Sequence, residues 1–344
     1  MKERKMKKYE YAVLIGRFQP LHVGHLSLVE HAFAIAKKLI IIVGSHNAPT
    51  SIRNPWNSTE RECFIRSALN MFEQGDLKVL PINDSAYNFN DWVLRVQQKV
   101  TAITGEKKVV IVGHYKDDTS YYLNYFPQWN LDTLPTQADG ISATCIRNAI
   151  FENKLDSVAV YLPVEVISFL KDWEQSKTFK RLQEEYVFIQ NYRKKWENAP
   201  FPPVFVTADA VVFAIGHVLL VKRKFNPGKG MYALPGGFVN QNESIERACT
   251  RELKEETSID IGFKELHGSL KMRHVFDHPL RDPRGRVITH AFMYELNVRE
   301  LPLVKASDDA EEVVWFPLFR IEENESSFFN DHAQIIKYFI NRMN

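Results

Sequence analysis

Apolar positions in the first half of the chain fall into short continuous runs separated by stretches with helical spacing. Tyr11 to Ile15 is one such run and ends at Gly16. From Val23 to Lys38 apolar residues recur every three or four positions, and a second run follows from Leu39 to Val43. The pattern predicts strand, helix, strand. A further helical pattern covers Trp92 to Ala102, and a third run, Lys108 to Val112, again stops at a glycine. This alternation predicts an α/β domain on a parallel sheet, with a doubly wound, Rossmann-like arrangement as the expected fold.

The segment Thr178 to Trp196 is highly charged, yet Phe179, Leu182, Tyr186, Ile189, Tyr192 and Trp196 share one helical face. It predicts an amphipathic connecting helix whose aromatic stripe docks on a neighbouring domain. Ala199-Pro200-Phe201-Pro202-Pro203 then breaks the helix. The expected organisation is a first domain over 1–175, a linker helix over 176–200 and a second domain over 201–344. In the second domain, β-rich stretches at Val204 to Ile215 and Val218 to Val221 precede a helix at Ser244 to Glu256 and more β at Val287 to Leu296. That order predicts an α+β fold. The chain carries no internal repeat and no low-complexity tract.

Composition narrows the function classes. The 344 residues are enough for two domains with separate cores. Lys and Arg total 44 against 42 Asp and Glu, so no global field draws the chain to nucleic acid or to an anionic membrane, and phosphate binding has to be local. The longest apolar runs are far shorter than the roughly 18 residues of a membrane helix. The basic opening, Met1 to Lys8, reads as a solvated tail without a cleavage pattern. Cys63, Cys145 and Cys249 are odd in number and widely spaced, which suggests neither a disulfide framework nor a zinc site and fits a reducing cytosol.

Directly after the first strand stands Gly16-Arg17-Phe18-Gln19-Pro20-Leu21-His22-Val23-Gly24-His25. Two imidazoles three residues apart at a strand-to-helix turn converge on a helix N-terminus, where unpaired N–H groups and the helix dipole favour phosphate, and Gly24 permits close approach. Later, Ser142 and Thr144 open another helix, with Arg147 one turn on to fork onto phosphate oxygens. The first segment resembles the H-x-G-H signature of the nucleotidyltransferase superfamily, and its Gly-Arg-Phe-Gln-Pro resembles the archaeal-type nicotinamide mononucleotide adenylyltransferases. Ile141-Ser142-Ala143-Thr144-Cys145-Ile146-Arg147 resembles the superfamily's I-S-x-T-x-x-R element, with Ala143 where many members have serine. Arg53-Asn54-Pro55-Trp56 with Thr59-Glu60-Arg61 is similar to a further segment of these enzymes, although Thr59 and Glu62 also read as a capping box.

The resemblance implies attack of a mononucleotide 5′-phosphate on the α-phosphorus of ATP, with magnesium entering on the nucleotide. His22, His25, Arg17 and Arg147 would carry the catalysis by positioning and charge neutralisation. Gly16, Phe18, Gly24, Arg53, Ser142 and Thr144 would line the substrates. Asn90 and Trp92 fall near the positions that hold the nicotinamide ring in the family, and Trp92 reads equally as a core residue.

The second half contains Gly237-x5-Glu243-x7-Arg251-Glu252-Leu253-Lys254-Glu255-Glu256-Thr257-Ser258-Ile259. Glu252 and Glu256 lie one turn apart with Glu255 beside them, a crowding of carboxylates that repel one another unless a divalent cation is present. The alternative is an exposed acidic face. The run resembles the Nudix box in every defining position except Ser258, which replaces a glycine at the helix exit where a left-handed backbone is needed. The resemblance implies Mg2+ or Mn2+ held by Glu252, Glu255, Glu256 and the Gly237 carbonyl, Glu255 and Glu256 as catalytic residues, and Arg251 holding Glu243. Asp282-Pro283-Arg284-Gly285-Arg286 resembles a loop of ADP-ribose-type Nudix proteins in which Arg284 and Arg286 would meet phosphate; a solvated turn is the other reading. Asp308, Asp309, Glu311 and Glu312 are candidate general bases among which the sequence does not choose.

The order of the two signatures resembles the bifunctional nicotinamide mononucleotide adenylyltransferase/ADP-ribose pyrophosphatases of some bacteria, implying ATP, nicotinamide mononucleotide and ADP-ribose as substrates, with self-association left open. Two alternatives stand beside it: a Nudix half that senses ADP-ribose without cleaving it, and a first site with another acceptor or with CTP as donor. The retained acidic residues, and the lack of a recognisable helix-turn-helix after the box, weigh against the sensor.

Overall fold

The computed structural model describes residues 7–70, 76–114, 118–135, 142–307 and 310–343. Residues 1–6 of the basic opening, Ile141, and the candidate bases Asp308 and Asp309 lie outside the described residues. The chain divides into two compact units, Met1–Gln183 and Glu184–Asn344. The division falls inside the amphipathic helix that the sequence predicts.

In the first unit, β1 (Tyr9–Gly16), α1 (Val23–Ile35) and β2 (Ala36–Val43) form the predicted opening. The helix stops three residues earlier than its periodicity suggests. Ala36 is extended, and Ala36 and Lys38 pair with Tyr9 and Tyr11, so sheet pairing overrides the local pattern. Next come α2 (Ser58–Ala68), β3 (Leu77–Pro81), α3 (Phe89–Thr104), β4 (Val109–His114) and β5 (Asn130–Leu134). The helices α4 (Ala143–Phe151), α5 (Leu155–Val158) and α6 (Val164–Trp173) follow.

All five strands are parallel, in the order β3-β2-β1-β4-β5. The chain leaves β1 towards β2 on one side, and β4 lies on the other, so the strand order reverses beside β1. Ligands of doubly wound sheets bind outside the strand carboxyl ends at this reversal. Gly16 pairs with Val43 there, and Val43 with Pro81. Alternate residues of the strands, Tyr11, Val13, Ile40, Ile42, Val109 and Ile111, pack on Val96 and Val100 of α3. Helix α1 covers β1 and β2 with Leu28, Val29 and Ala32 buried.

Helix α7 (Lys177–Lys194) runs across the division between the units. Its first turns belong to the first unit, where Phe179 stacks on Phe151 at 6.1 Å. Its later turns belong to the second, where Tyr192 meets the edge of Phe205.

The second unit contains β6 (Val204–Ala214), β7 (His217–Arg223), β8 (Tyr232–Ala233), β9 (Gly236–Phe238) and α8 (Ile245–Thr257). It continues with α9 (Phe263–Gly268), β10 (Leu270–Phe276), β11 (Arg286–Leu296), β12 (Ala310–Pro317) and α10 (His332–Ile340). The sheet runs β10-β11-β6-β7-β12, with β8 added to β7 and β9 to β6; only β6 and β11 pair in parallel. The alternating Ala208, Ala210 and Val212 of β6 receive Ala248, Cys249 and Leu253 of α8, which fixes the box helix against the sheet. Strand β10 forms one border, its pairing shifts register between Leu270 and Met272, and Lys271, Arg273 and His274 are exposed along it. No helix of the described residues is long and apolar enough to cross a membrane.

Candidate active sites

In the first unit, the two motif histidines cap α1 reciprocally. His22 Nδ1 accepts from Gly24 N–H at 3.2 Å, and His25 Nδ1 accepts from His22 N–H at 3.3 Å. Their rings lie 3.9 Å apart. With Nδ1 accepting, each neutral ring carries its proton on Nε2. A Cβ on Gly24 would stand 3.1 Å from His22 Cε1, so glycine here makes room for the imidazole.

The Phe18 side chain is almost wholly enclosed. It is only 1% exposed, with its ring 4.7 Å from His25. A Cβ on Gly16 would come within 3.1 Å of the same ring. Phe18 therefore supports the histidines from below, and it does so at φ 53°, a left-handed conformation disfavoured for a bulky residue and held in place by the packing around it.

Around this turn the structure gathers arginines. Arg17 Nη1 is enclosed and has no hydrogen-bond partner among the described residues. Burial, followed by the neighbouring Arg17 charge, lowers Arg53 to about 10. Burial, then Arg17 and Arg53, lowers Arg147 to about 9. Asp84 is the acidic group opposite Arg17, Arg53 and Arg61, and its carboxylate accepts from Ser45 N–H and Oγ–H. Positive charge so concentrated, with one enclosed donor unused, suits a polyphosphate. Arg147 is aimed by Nη1 donating to Gln19 O at 2.6 Å and Nη2 to Thr144 Oγ1 at 3.1 Å. Ser142 caps α4 by accepting from Cys145 N–H. Thr144 thus braces the arginine, and Ser142 the helix.

Three further residues belong here to which the sequence gives no role, Arg61 being named only within a similar segment. Arg61, fully buried, donates from Nη1 to Arg17 O and Gly44 O, from Nη2 to Ser45 O and from Nε to Asn57 O, which ties the carboxyl ends of β1 and β2 to α2. His114, at the end of β4, lies with Nε2 3.3 Å from Gly24 O and Nδ1 3.1 Å from Leu134 O. Asp84 is the third. The capping box of α2 is Asn57 with Glu60, not Thr59 with Glu62. Glu62 pairs with Arg66 instead. Asn90 is exposed on α3, whose cap is Asn88. Trp92 is half-buried, stacked on Phe89 at 5.7 Å and edge-on to Tyr122 and Phe126, so its ring belongs to an aromatic core cluster.

In the second unit, Arg251 is a hub. It binds both oxygens of Glu243, at 3.0 and 2.7 Å, and donates from Nη1 to Glu252 and Glu255 at 2.8 Å each. Those bonds pull Glu243 down to about 2, and the contact with Glu243 foremost drives Arg251 upward. The expected hold of Arg251 on Glu243 is present.

Glu256 Oε2 accepts from Gly236 N–H at 3.0 Å, and burial pushes its carboxyl up to about 8. Glu252 is also raised, by burial first. A Cβ on Gly237 would fall 2.4 Å from Glu252 Oε1, so the glycine seats that carboxylate against the β9 backbone. Asp209 of β6, opposite Gly236, adds a further negative charge near Glu256. Glu255 is 60% exposed and turned to Arg251. Among the described residues no three His, Cys, Asp or Glu side chains are grouped to hold a metal ion. Of the three box carboxylates, Glu252 and Glu255 both accept from Arg251, and Glu256 accepts from Gly236 N–H.

Ser258 takes the left-handed exit that the sequence demanded, at φ 44° and ψ 34°, donating its N–H to Lys254 O. Arg284 is no solvated turn residue: it forks onto Asp282 at 3.0 and 2.8 Å, and its guanidinium lies over Phe238 at 5.0 Å. Arg286 donates to Asp277. Glu311 and Glu312 are exposed on β12, and Glu312 faces Lys222 at 3.8 Å.

Two family models match the chain: Cytidylyltransferase-like over residues 13–149 and NUDIX domain over 203–339. A nicotinamide/nicotinic acid mononucleotide adenylyltransferase of Acinetobacter baylyi is 37% identical over 182 residues, covering 53% of this chain and 95% of that protein. An ADP-ribose pyrophosphatase of Methanocaldococcus jannaschii is 42% identical over 132 residues, covering 38% of this chain and 70% of its own length. Both halves align together with the crystal structure of a bifunctional NMN adenylyltransferase/ADP ribose pyrophosphatase from Francisella tularensis, complexed with AMP and a manganese ion. The TM-score is 0.91 at 32% identity, over 97% of this chain and 99% of that one. A parallel sheet with its histidines and arginines at the strand-order reversal, followed by a Nudix helix organised on Arg251, is thus matched along nearly its whole length, and the chain belongs to the family of bifunctional NMN adenylyltransferase/ADP-ribose pyrophosphatases.

Proposed function

We propose that the first unit transfers an adenylyl group from ATP to nicotinamide mononucleotide, giving NAD and pyrophosphate, and that the second cleaves ADP-ribose to AMP and ribose 5-phosphate. The observation that carries the first activity is the enclosed, partnerless Nη1 of Arg17 beside Arg53 and Arg147, above the histidine-capped end of α1. In the transfer, a phosphate oxygen of the mononucleotide bonds to the α-phosphorus of ATP, and the bond to the bridging oxygen breaks with its electron pair leaving on pyrophosphate. The attacking oxygen is already ionised and needs no base. Arg17, Arg53 and Arg147 balance the charge that grows on the leaving group, and His22 and His25 present Nε2 protons at the helix end. Magnesium would accompany ATP.

The hydrolase site fits a hard divalent cation. Glu252 and Glu256 supply two carboxylates, Gly237 leaves room for one of them at the β9 backbone, and burial raises the pKa of both, which a cation would offset. One or two carboxylates plus substrate phosphate are a usual set for magnesium, and manganese takes the same oxygens. A bound cation would polarise the diphosphate and lower the pKa of water. Arg251 keeps Glu243, Glu252 and Glu255 in register for that task. The substrates are soluble nucleotides, consistent with a place in the cytosol.

His25→Ala is expected to lower NAD synthesis by about two to three orders of magnitude, the scale for losing one partner of transition-state charge. Glu256→Gln is expected to abolish AMP release and leave synthesis unchanged, since each unit has its own core. Both follow from product formation on one preparation with magnesium or manganese. Binding of ADP-ribose by the wild type without AMP release would establish a sensor in place of a hydrolase.

A further inference from the structure

Two consecutive residues at the entrance of α10 reach the hydrolase site from outside the box. Asp331 accepts from Arg281 Nε at 2.9 Å and Nη2 at 3.0 Å, in a pair whose side chains are 4% and 8% exposed. His332 Nδ1 accepts from Leu234 N–H at 2.9 Å, also buried. Each bond ends on a segment of the site. Leu234 opens the turn that continues to Gly236, whose N–H holds Glu256, and Gly237, which seats Glu252. Arg281 immediately precedes Asp282, the carboxylate that fixes Arg284 over Phe238.

The turn has little freedom of its own. Pro235 O accepts from Ala210 N–H at 2.8 Å, and a Cβ on Gly236 would strike Ala208 O at 2.4 Å, so the backbone lies tight against β6. What remains to be set is where the turn begins, and the Leu234 amide bond to His332 sets it. A buried N–H without an acceptor is strongly disfavoured, so the imidazole has to remain neutral with its proton on Nε2. Burial does keep His332 below the usual histidine range, against the opposing pull of Asp209 and Asp331.

We infer that the Asp331–His332 step is the positioning element of the hydrolase site: His332 sets the Leu234–Gly237 turn against Glu252 and Glu256, and Asp331 sets the loop that carries Arg284. The inference rests on reading this unit as a metal-dependent hydrolase. Neither residue touches the cation in this account. They act through the backbone segments that carry the site residues, as outer partners of metal ligands do elsewhere.

The test uses the full chain with His332→Leu, which removes the acceptor, and His332→Asn, whose Oδ1 replaces Nδ1 at the same distance from the backbone. Amide exchange at Leu234 to Gly237 in metal-free protein and Mn2+ binding by electron paramagnetic resonance are the readouts besides turnover. His332→Leu is expected to speed exchange at Leu234 and weaken Mn2+ binding about 10- to 100-fold, with His332→Asn restoring both. Asp331→Asn is expected to raise the KM for ADP-ribose with Mn2+ affinity retained. If His332→Leu does not fold, His332→Gln, whose amide reaches past the Nδ1 position, is expected to show the same loss. Unchanged Mn2+ affinity and exchange in the Leu or Gln variant overturn the inference, as does a loss that Asn fails to rescue, which would assign His332 to packing alone. A wild type that binds no Mn2+ and releases no AMP refutes the hydrolase reading itself, and the inference falls with it.

Discussion

Replacing Arg61 with lysine tests how the carboxyl ends of β1 and β2 are held. The guanidinium is fully buried and serves four carbonyls: Arg17 at 2.8 Å, Gly44 at 2.6 Å, Ser45 at 3.0 Å and Asn57 at 3.2 Å. Burial lowers its pKa to about 10, so it is still charged at neutral pH. A lysine ammonium is one nitrogen and cannot reproduce the fork. If it takes over the two bonds from Nη1, those from Nη2 and Nε are lost. At about 1.5–3 kcal/mol for each charge-assisted bond, the loss is about 3–6 kcal/mol. That is a large share of the roughly 5–15 kcal/mol stability of a typical domain. At about 2–4 °C per kcal/mol, the melting transition of the first unit is expected to fall by about 6–24 °C. Calorimetry on the full chain measures this, and NAD synthesis and AMP release on the same sample localise it. Synthesis should fall even below the new transition, because Arg61 anchors the Arg17 backbone, while AMP release should persist. An Arg61→Lys protein that melts with the wild type and keeps its synthesis rate would refute the clamp.

Ser258→Gly is expected to stabilise the second unit by about 0.5–1 kcal/mol in urea unfolding, since a left-handed L-residue costs about 1–2 kcal/mol and glycine gives back about 0.5–1 through unfolded-chain entropy. Trp92→Ala is expected to destabilise by up to about 3 kcal/mol and to shift the KM values for ATP and mononucleotide together; a rise confined to the mononucleotide would restore ring stacking as its role. Glu256 binds its proton more tightly in the fold, with its pKa pushed by burial from the ordinary 4.5 up to about 8. The metal-free unit is therefore expected to lose stability as pH rises through that interval, since the native state then binds more protons than the unfolded one. Thermal melts at several pH values should show this slope, Glu256→Gln should flatten it, and Mn2+ added at pH 7 should release a proton.

The parts of the molecule written in consecutive residues could be read from sequence. Short continuous apolar runs announced β1 and β4, a β-rich stretch announced β6, and the box announced α8 together with the Arg251–Glu243 bond, because those partners are placed by a single loop and helix. The short strands β3 and β5 were not legible, since each is a partly exposed border strand without a continuous apolar run. The burial of Phe18 was not legible, because it is decided by tertiary packing around Gly16 and His25. Helical spacing gives the face on which Glu255 lies but not its bond to the arginine four residues earlier. The roles of Arg61, His114 and His332 escaped for one reason: each acts on backbone far away in the chain, 98 residues away for His332, and no local pattern encodes such a bond.

Strand β10 leaves one border of the second sheet open, and an open border is a template on which other chains can add strands. Here the border carries Lys271 and Arg273, and the register slips between Leu270 and Met272, so an incoming strand would meet like charge and a broken ladder. These features touch neither site. They bear on how crowded a solution the folded chain tolerates, and a double change of Lys271 and Arg273 to valine would be expected to leave both reactions intact while the protein precipitates at concentrations where the native sequence stays dispersed.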